Sequence, residues 1–198
     1  MSVDAPRRPL ASRGPAVAQL LESLDDAGEA TLGRLRGRPW ADTAAAAVSN
    51  LADYGYVWVG LALWKARRPG PSRRRAVLAL AGAGVTSYGV NKAVKRLVGR
   101  QRPHDVTATG RGGPLAVRRP TSSSFPSGHT LAAFCTAVVL TDGPAQTAGA
   151  LGFAAVVAAS RVHLRAHHAS DVVGGALIGT AAGLAVRRFV LDRCDAQE

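Results

Sequence analysis

Charged residues are separated from long apolar runs along this 198-residue sequence, and that separation constrains the fold more than any other feature. Within residues 44–188, most Lys and Arg lie in the connections between runs rich in Ala, Val, Leu and Gly. The runs cover residues 44–64, 76–98, 130–140, 145–160 and 172–186. A membrane-spanning helix needs about 20 apolar residues, and small side chains let such helices pack closely. The pattern predicts an all-α, polytopic membrane bundle of about five or six helices, with a compact soluble all-α protein as the alternative.

The N-terminal part of the chain is basic and contains a short amphipathic pattern. Four apolar residues recur there at helical spacing among acidic residues: Val17, Leu20, Leu21 and Leu24. This spacing predicts an amphipathic helix that lies either on a membrane surface or on the rest of the protein. The expected organisation is a basic, amphipathic segment (1–43), a membrane domain (44–188) and a polar C-terminal tail (189–198).

The net charge of +12, from 25 Lys and Arg against 13 Asp and Glu, raises the question of a nucleic-acid partner. The basic residues flank apolar runs and show no interleaving with aromatic residues, so we expect them to face anionic lipid headgroups rather than nucleic acid. The apolar fraction of 47% excludes disorder throughout the chain, and two Cys exclude a disulfide-rich scaffold.

The polar residues that could bind a ligand or take part in a reaction lie at the ends of the apolar runs. If successive helices run in alternating directions, these ends meet on one side of the bundle. The set is Lys95, Arg102, Ser127, Gly128, His129, Arg161, His167 and Asp171. Three cations around one pocket need a shared anion, and a phosphoryl group is the natural one because its oxygens must be neutralised in the transition state. The helix expected to begin near Gly128 would add backbone N–H groups to this anion site.

Two histidines fit complementary roles in phosphoryl chemistry. His167 and Asp171 are four residues apart, which on a helix places them on one face. The carboxylate would then hold one ring nitrogen while the other attacks phosphorus. His129 suits general acid catalysis because its ordinary pKa lies near neutrality. We expect no metal and no cofactor, since Arg161 and other basic residues nearby would oppose a dication.

Neighbouring residues leave alternatives at this site. His168 competes with His167 as the nucleophile but is three residues from Asp171. We expect His163, Arg165 and His104 to be solvated rather than to line the entrance of the site.

Three motifs occur in order: Lys95-x6-Arg102-Pro103, then Pro126-Ser127-Gly128-His129, then Ser160-Arg161-x5-His167-x3-Asp171. Together they resemble the three-part signature of the type 2 phosphatidic acid phosphatase (PAP2) superfamily. That superfamily also includes vanadium haloperoxidases and some bacterial acid phosphatases. The resemblance covers roughly residues 44–188 and fills every motif position.

The resemblance implies a metal-independent phosphatase that works through a phosphohistidine. His167 would be the nucleophile, Asp171 its partner and His129 the acid that protonates the leaving group. The resemblance assigns phosphate binding to Lys95, Arg102, Ser127, Gly128 and Arg161.

Membrane members of the family dephosphorylate lipid phosphates, which predicts a lipid phosphate or diphosphate as substrate and an integral protein of the bacterial plasma membrane. The candidates are phosphatidate, phosphatidylglycerophosphate, polyprenyl diphosphates and decaprenylphosphoryl-5-phosphoribose. The side of the membrane that the site faces and the oligomeric state stay open. The alternatives are a vanadate-dependent, haloperoxidase-like enzyme and a catalytically silent, lipid-binding membrane scaffold.

Overall fold

The structure, a computed structural model, describes residues 15–53, 55–67, 71–103 and 122–191, and within these ranges it contains helices and no strands. Seven α-helices follow one another along the chain: α1 (Pro15–Leu32), α2 (Pro39–Asp53), α3 (Tyr56–Ala66), α4 (Pro71–Val98), α5 (Gly128–Leu140), α6 (Pro144–His163) and α7 (Ala169–Val186). A 3₁₀ turn (Gly33–Leu35) follows α1, and a π-helical turn (Arg187–Leu191) extends α7.

The first apolar run forms two helices, although the sequence suggested one continuous span over residues 44–64. Helix α2 begins at Pro39 and ends at Asp53, and α3 starts at Tyr56. Gly55 separates them with a φ of +65°, a left-handed conformation that glycine adopts without steric cost. Six helices therefore follow α1, at the upper end of the predicted number.

Helix α5 lies in the centre of the bundle and is buried along most of its length. Three glycines of α7, spaced four residues apart, allow the two backbones to approach closely. A Cβ atom added to Gly175, Gly179 or Gly183 would lie 2.8, 2.4 or 2.8 Å from a carbonyl oxygen at the start of, or within, α5. Small residues at this spacing let membrane helices pack backbone to backbone. The contact fixes the N-terminal ends of α5 and α7 side by side.

Helix α1 packs on the rest of the protein rather than standing apart from it, which decides between the two placements that its sequence allowed. Gly28 lies against α7, where an added Cβ would be 2.5 Å from the Cβ of Ala169. Beyond α1, Arg36 donates from Nε to the carbonyl oxygen of His163 at 2.7 Å, at the end of α6. Its guanidinium also binds Glu29 of α1. Helix α1 is thereby held over the ends of α6 and α7.

One helix within the described residues is long and apolar enough to cross a membrane by itself, Ala169–Leu191, and α5 is a shorter apolar helix. Large apolar side chains also point outward from α3, α4 and α7, among them Leu63, Val85 and Leu177. Contiguous exposed apolar surface marks an interaction site or contact with lipid.

The packing of α5 against α7 yields a prediction about stability. Gly179→Ala places a methyl group against the carbonyl oxygen of Leu131, so we expect it to cost about 1–3 kcal/mol, as overpacking does in a close-packed core. Gly152→Ala on α6 is the matched control, because nothing lies within 4 Å of its added Cβ. Thermal unfolding in detergent should show a lower midpoint for Gly179→Ala alone. Equal midpoints for the two variants would contradict the close contact.

Candidate active site

The structure brings the predicted site residues together at one end of the bundle. They come from the end of α4 and the segment after it, the start of α5, the end of α6 and the segment leading into α7. The residues placed there are Lys95, Arg102, Ser127, Gly128, His129, Arg161, His167 and Asp171. The alternating helix directions inferred from the sequence account for this meeting of distant segments.

His167 lies just before α7 rather than on it, so the expected placement of His167 and Asp171 on one helical face is wrong. The side chain is 2% exposed, and its Nδ1 is 3.6 Å from Oδ2 of Asp171. Its Nε2 is 3.1 Å from Nη1 of Arg102. A guanidinium can only donate, so this contact makes Nε2 an acceptor and assigns the ring proton to Nδ1, facing the carboxylate. Nε2 is then the ring nitrogen that carries a lone pair, and this lone pair faces Arg102.

The ring of His167 is held neutral. Burial, opposed by Asp171 and reinforced by the positive charges of Arg102 and Arg161, lowers the pKa of His167 to about 4. A neutral imidazole at physiological pH retains the lone pair that nucleophilic attack requires.

The carboxylate of Asp171 is fully buried and held by several donors. Oδ2 accepts the backbone N–H of His168 at 2.9 Å and the hydroxyl of Ser124. Oδ1 accepts Nη1 of Arg100 at 2.6 Å. Asp171 lies in the first turn of α7, and its side chain folds back over the start of the helix. The carboxylate therefore lies near His167, which precedes the helix.

Arg100 and Ser124 contact Asp171 at the site, and the sequence analysis missed both. Arg100 bridges Asp171 and the amphipathic helix, since its Nη2 donates to Oδ2 of Asp25 in α1 at 2.6 Å. Its Nη1 also donates to the hydroxyl of Ser170 at 2.6 Å. The sequence gave no indication of this role for Arg100. The residue lies between the motif residues Lys95 and Arg102 and resembles the other basic residues that flank the apolar runs.

The two cations of the first motif are oriented by the segment before α5. Arg102 donates from Nε to the carbonyl oxygen of Ser122 at 3.0 Å and from Nη1 to that of Ala166 at 2.6 Å. Nζ of Lys95 donates to the hydroxyl of Ser122 at 3.1 Å. Arg102 is therefore fixed between this segment and the backbone beside His167.

The second motif forms the start of α5. Ser127 is fully buried, its N–H donates to the carbonyl oxygen of Asp171 at 3.1 Å, and its hydroxyl accepts that of Thr130 at 3.0 Å. Gly128 lies against Asn91 of α4, where an added Cβ would be 3.0 Å from Nδ2, so a larger residue would displace this side chain. His129 follows in the first turn of α5 and is half-buried.

Arg161 is fully buried at the end of α6. Its Nη1 donates to the hydroxyl of Ser49 in α2, and the sequence did not indicate this contact. Its carbonyl oxygen accepts the N–H groups of Ala166 and His167 at 3.0 and 3.3 Å. Arg161 thus orients the backbone that carries His167 and also supplies a positive charge.

Among the other candidates near the site, His163 and Arg165 are placed differently from the expectation. His163 is buried, with Nε2 2.7 Å from Oδ1 of Asp42, so the expectation that it is solvated is wrong. Arg165 lines a cavity beside His167 and donates to Glu29 at 2.8 Å. Nδ1 of His168 is 3.9 Å from Asp25 of α1. His104 lies outside the described residues.

The cavity beside His167 has a volume of about 290 Å³. One wall is the acidic side of α1, formed by Asp25, Asp26 and Glu29, and the opposite wall includes Arg165 and His167. An acidic wall next to an anion site provides hydrogen-bond acceptors for hydroxyl groups rather than for phosphate.

Comparison with known proteins identifies the family of this chain. The family model of the PAP2 superfamily matches residues 76–195, more than half of the chain. This chain belongs to the PAP2 superfamily. The expected family is thereby confirmed, and the relatives described next confirm the expected phosphatase activity.

Two curated relatives of this PAP2 protein are named decaprenylphosphoryl-5-phosphoribose phosphatase. The protein from Mycolicibacterium smegmatis is 35% identical over 144 residues, which cover 71% of this chain and 74% of the relative. The protein from Mycobacterium tuberculosis is 37% identical over 153 residues, which cover 75% and 80%. Their phosphatase names favour hydrolysis over the haloperoxidase and silent-scaffold alternatives.

Two solved structures share the fold of this PAP2 protein. The transmembrane PAP2-type phosphatidylglycerolphosphate phosphatase from Bacillus subtilis superposes with a TM-score of 0.66 at 24% identity, covering 92% of this chain and 90% of that chain. Aquifex aeolicus LpxE superposes with a TM-score of 0.62 at 24% identity, covering 87% and 94%. The expected all-α helical bundle is confirmed.

The ion pair between Arg100 and Asp171 yields a prediction about catalysis. Arg100→Gln leaves a buried carboxylate without its charged partner, so Asp171 should orient His167 less well. Because Arg100 supports the site through Asp171, we expect kcat to fall about tenfold or more while KM changes little. Arg96→Gln, at an exposed position one turn earlier, is the control. An unchanged kcat in a folded Arg100→Gln variant would contradict the positioning role.

Proposed function

We propose that this protein is a lipid-phosphate phosphatase of the bacterial plasma membrane that works through a phosphohistidine on His167. The observation that carries the proposal is the buried imidazole whose Nε2 lies 3.1 Å from Nη1 of Arg102. A nucleophile and a fixed cation in contact define the position that a phosphoryl group would occupy between them.

Phosphate binding would use the charges gathered around Nε2. The phosphoryl oxygens would lie between Lys95, Arg102 and Arg161, with the start of α5 on another side. Guanidinium groups bind two phosphate oxygens at once, and a lysine adds a point charge. Arg102 would redirect the Nη1–H that contacts Nε2 onto the phosphate as the substrate enters, while its bonds to the backbone keep it in place, and this frees the lone pair only when the anion is present.

The first chemical step would form the Nε2–P bond and break the bond between phosphorus and the lipid oxygen. The departing oxygen takes a proton from His129. The imidazole of His167 becomes positively charged as it attacks, and the buried carboxylate of Asp171 stabilises that charge.

In the second step, water attacks phosphorus and the Nε2–P bond breaks. His129 accepts the proton of the water, which restores the acid for the next turnover. Inorganic phosphate and the dephosphorylated lipid are the products. The charge that develops on the phosphoryl oxygens is neutralised by protein side chains, so the proposed steps need no metal ion.

The cavity beside His167 supports a sugar-linked substrate. The hydroxyl groups of a pentose would donate to the carboxylates of Asp26 and Glu29, which line it. A diacylglycerol leaving group has no such donors near its phosphate. We therefore propose a polyprenyl-phosphate-linked pentose 5-phosphate as the substrate, in keeping with the printed names of the relatives at 35% and 37% identity.

The mechanism predicts a trapped intermediate. Substrate labelled in the reacting phosphoryl group, quenched in alkali after a short reaction, should leave an acid-labile label on the protein, as expected for phosphohistidine. His167→Ala should abolish this label, whereas His168→Ala should retain it. A label that survives in His167→Ala, or disappears only in His168→Ala, would overturn the assignment of the nucleophile.

The substrate assignment predicts selective effects on KM. Asp26→Asn removes a carboxylate acceptor, so KM for decaprenylphosphoryl-5-phosphoribose should rise about three- to tenfold while KM for phosphatidate stays constant. Glu22→Gln, exposed on the same helix and outside the cavity, is the control. If Asp26→Asn lowers KM for both substrates, the acidic wall only repels anions and the proposed sugar contact is wrong.

A further inference from the structure

A second cavity, of about 560 Å³, lies at the end of the bundle opposite His167. Its walls include Arg75 near the start of α4, Leu140 at the end of α5, Gln146 near the start of α6 and Arg187 just after α7. Each of these four helices has its other end at the active site. The cavity is therefore separated from the catalytic residues by the length of the bundle.

Positive charge is concentrated around this opposite-end cavity. Among the described residues, four basic side chains line it, Lys65, Arg67, Arg75 and Arg187, together with one carboxylate, that of Asp142. Lys65 pairs with Asp142, and Nε of Arg75 is 3.9 Å from the same carboxylate. Within the described lining, positive charges outnumber negative ones, and a bound anion would stabilise this arrangement.

The position of Arg187 is fixed at the inner side of the cavity. Its Nη1 donates to the carbonyl oxygens of Val138 and Thr141 at 3.0 and 2.8 Å, where α5 ends. A guanidinium anchored through one nitrogen still has donors for an anion on its other nitrogens. The charge is thus held in place before any ligand arrives.

The same cavity has an apolar wall, formed by Ala76, Ala79, Val139 and Leu140. Trp64 also lines the cavity and is 54% exposed, and the adjacent Leu63 is 62% exposed. Tryptophan favours the level of lipid headgroups at a membrane boundary. An amphiphile with an anionic head would use both the basic and the apolar surface, whereas free phosphate would use only the first.

We propose that this cavity binds the headgroup of an anionic glycerophospholipid at the membrane face opposite to the active site. The phosphate would lie among Arg67, Arg75 and Arg187, and the first carbons of the lipid would lie along Ala79 and Val139. Basic pockets between membrane helices bind anionic headgroups in this way. The lipid would join α3 and α4 to the turn between α5 and α6, and its binding is independent of the reaction at His167.

The test uses the full chain in a mild detergent, with dioleoylphosphatidylglycerol, dioleoylphosphatidylcholine or inorganic phosphate as the probe. Native mass spectrometry counts bound lipid, and thermal unfolding measures stabilisation. We expect phosphatidylglycerol to bind once per chain and to raise the unfolding midpoint, and the other two probes to do neither. If phosphatidylcholine binds and stabilises equally well, the basic side chains do not select the ligand and the proposal is wrong. If inorganic phosphate alone gives the same stabilisation, the apolar wall does not bind a lipid and the proposal is also wrong.

Matched charge variants distinguish lipid binding in this cavity from nonspecific electrostatic attraction to the basic surface. Arg67→Gln with Arg75→Gln should weaken phosphatidylglycerol binding by about tenfold or more. Arg73→Gln with Arg74→Gln removes the same charge from exposed positions outside the cavity and should leave binding unchanged. Equal losses in both double variants would overturn the proposal. Elution and unfolding midpoint without lipid verify that each variant is folded.

Discussion

The buried carboxylate of Asp171 connects several segments at the end of the bundle that carries the candidate site. It faces Nδ1 of His167 at 3.6 Å, and Arg100 and Ser124 hold it from the segment between α4 and α5. The backbone carbonyl of the same residue accepts the N–H of Ser127, which begins α5. An isolated charge buried in this way would be costly, so its donors must be in place before the site is stable. The requirement for those donors ties together three segments that are distant in sequence.

Close backbone contact between two helices holds this arrangement in place. Helices α5 and α7 touch along Gly175, Gly179 and Gly183, so the helix starts that carry His129 and Asp171 are held side by side. Helix α1 then covers the site, because Asp25 accepts both Nη2 of Arg100 and the N–H of Ser170. Arg100 thus links Asp25 of the amphipathic helix to the carboxylate of Asp171 at the candidate site.

The sequence predicted what depends on local pattern and on fixed motif spacing. The all-α bundle, the helix over Val17–Leu24 and the meeting of Lys95, Arg102 and Arg161 follow from apolar periodicity and alternating helix directions. Gly55 divides a run that is mostly apolar but includes Asn50 and Asp53, and a single glycine within such a run does not by itself indicate a break. Arg100, Ser124 and Ser49 escaped detection because their roles depend on partners far away in the chain. His167 lies outside α7 because Asp171 folds back over the helix start, which the four-residue spacing alone cannot reveal.

The central claim is that one tetrahedral anion fits between the cations and Nε2 of His167. A structure of the protein with vanadate, which mimics the phosphoryl group in its transition state, tests this most directly. The account predicts vanadium bonded to Nε2 of His167, its oxygens in contact with Arg102, Arg161 and Lys95, and Asp171 still facing Nδ1. Vanadium bonded to His168, or vanadate bound away from these three cations, would contradict it.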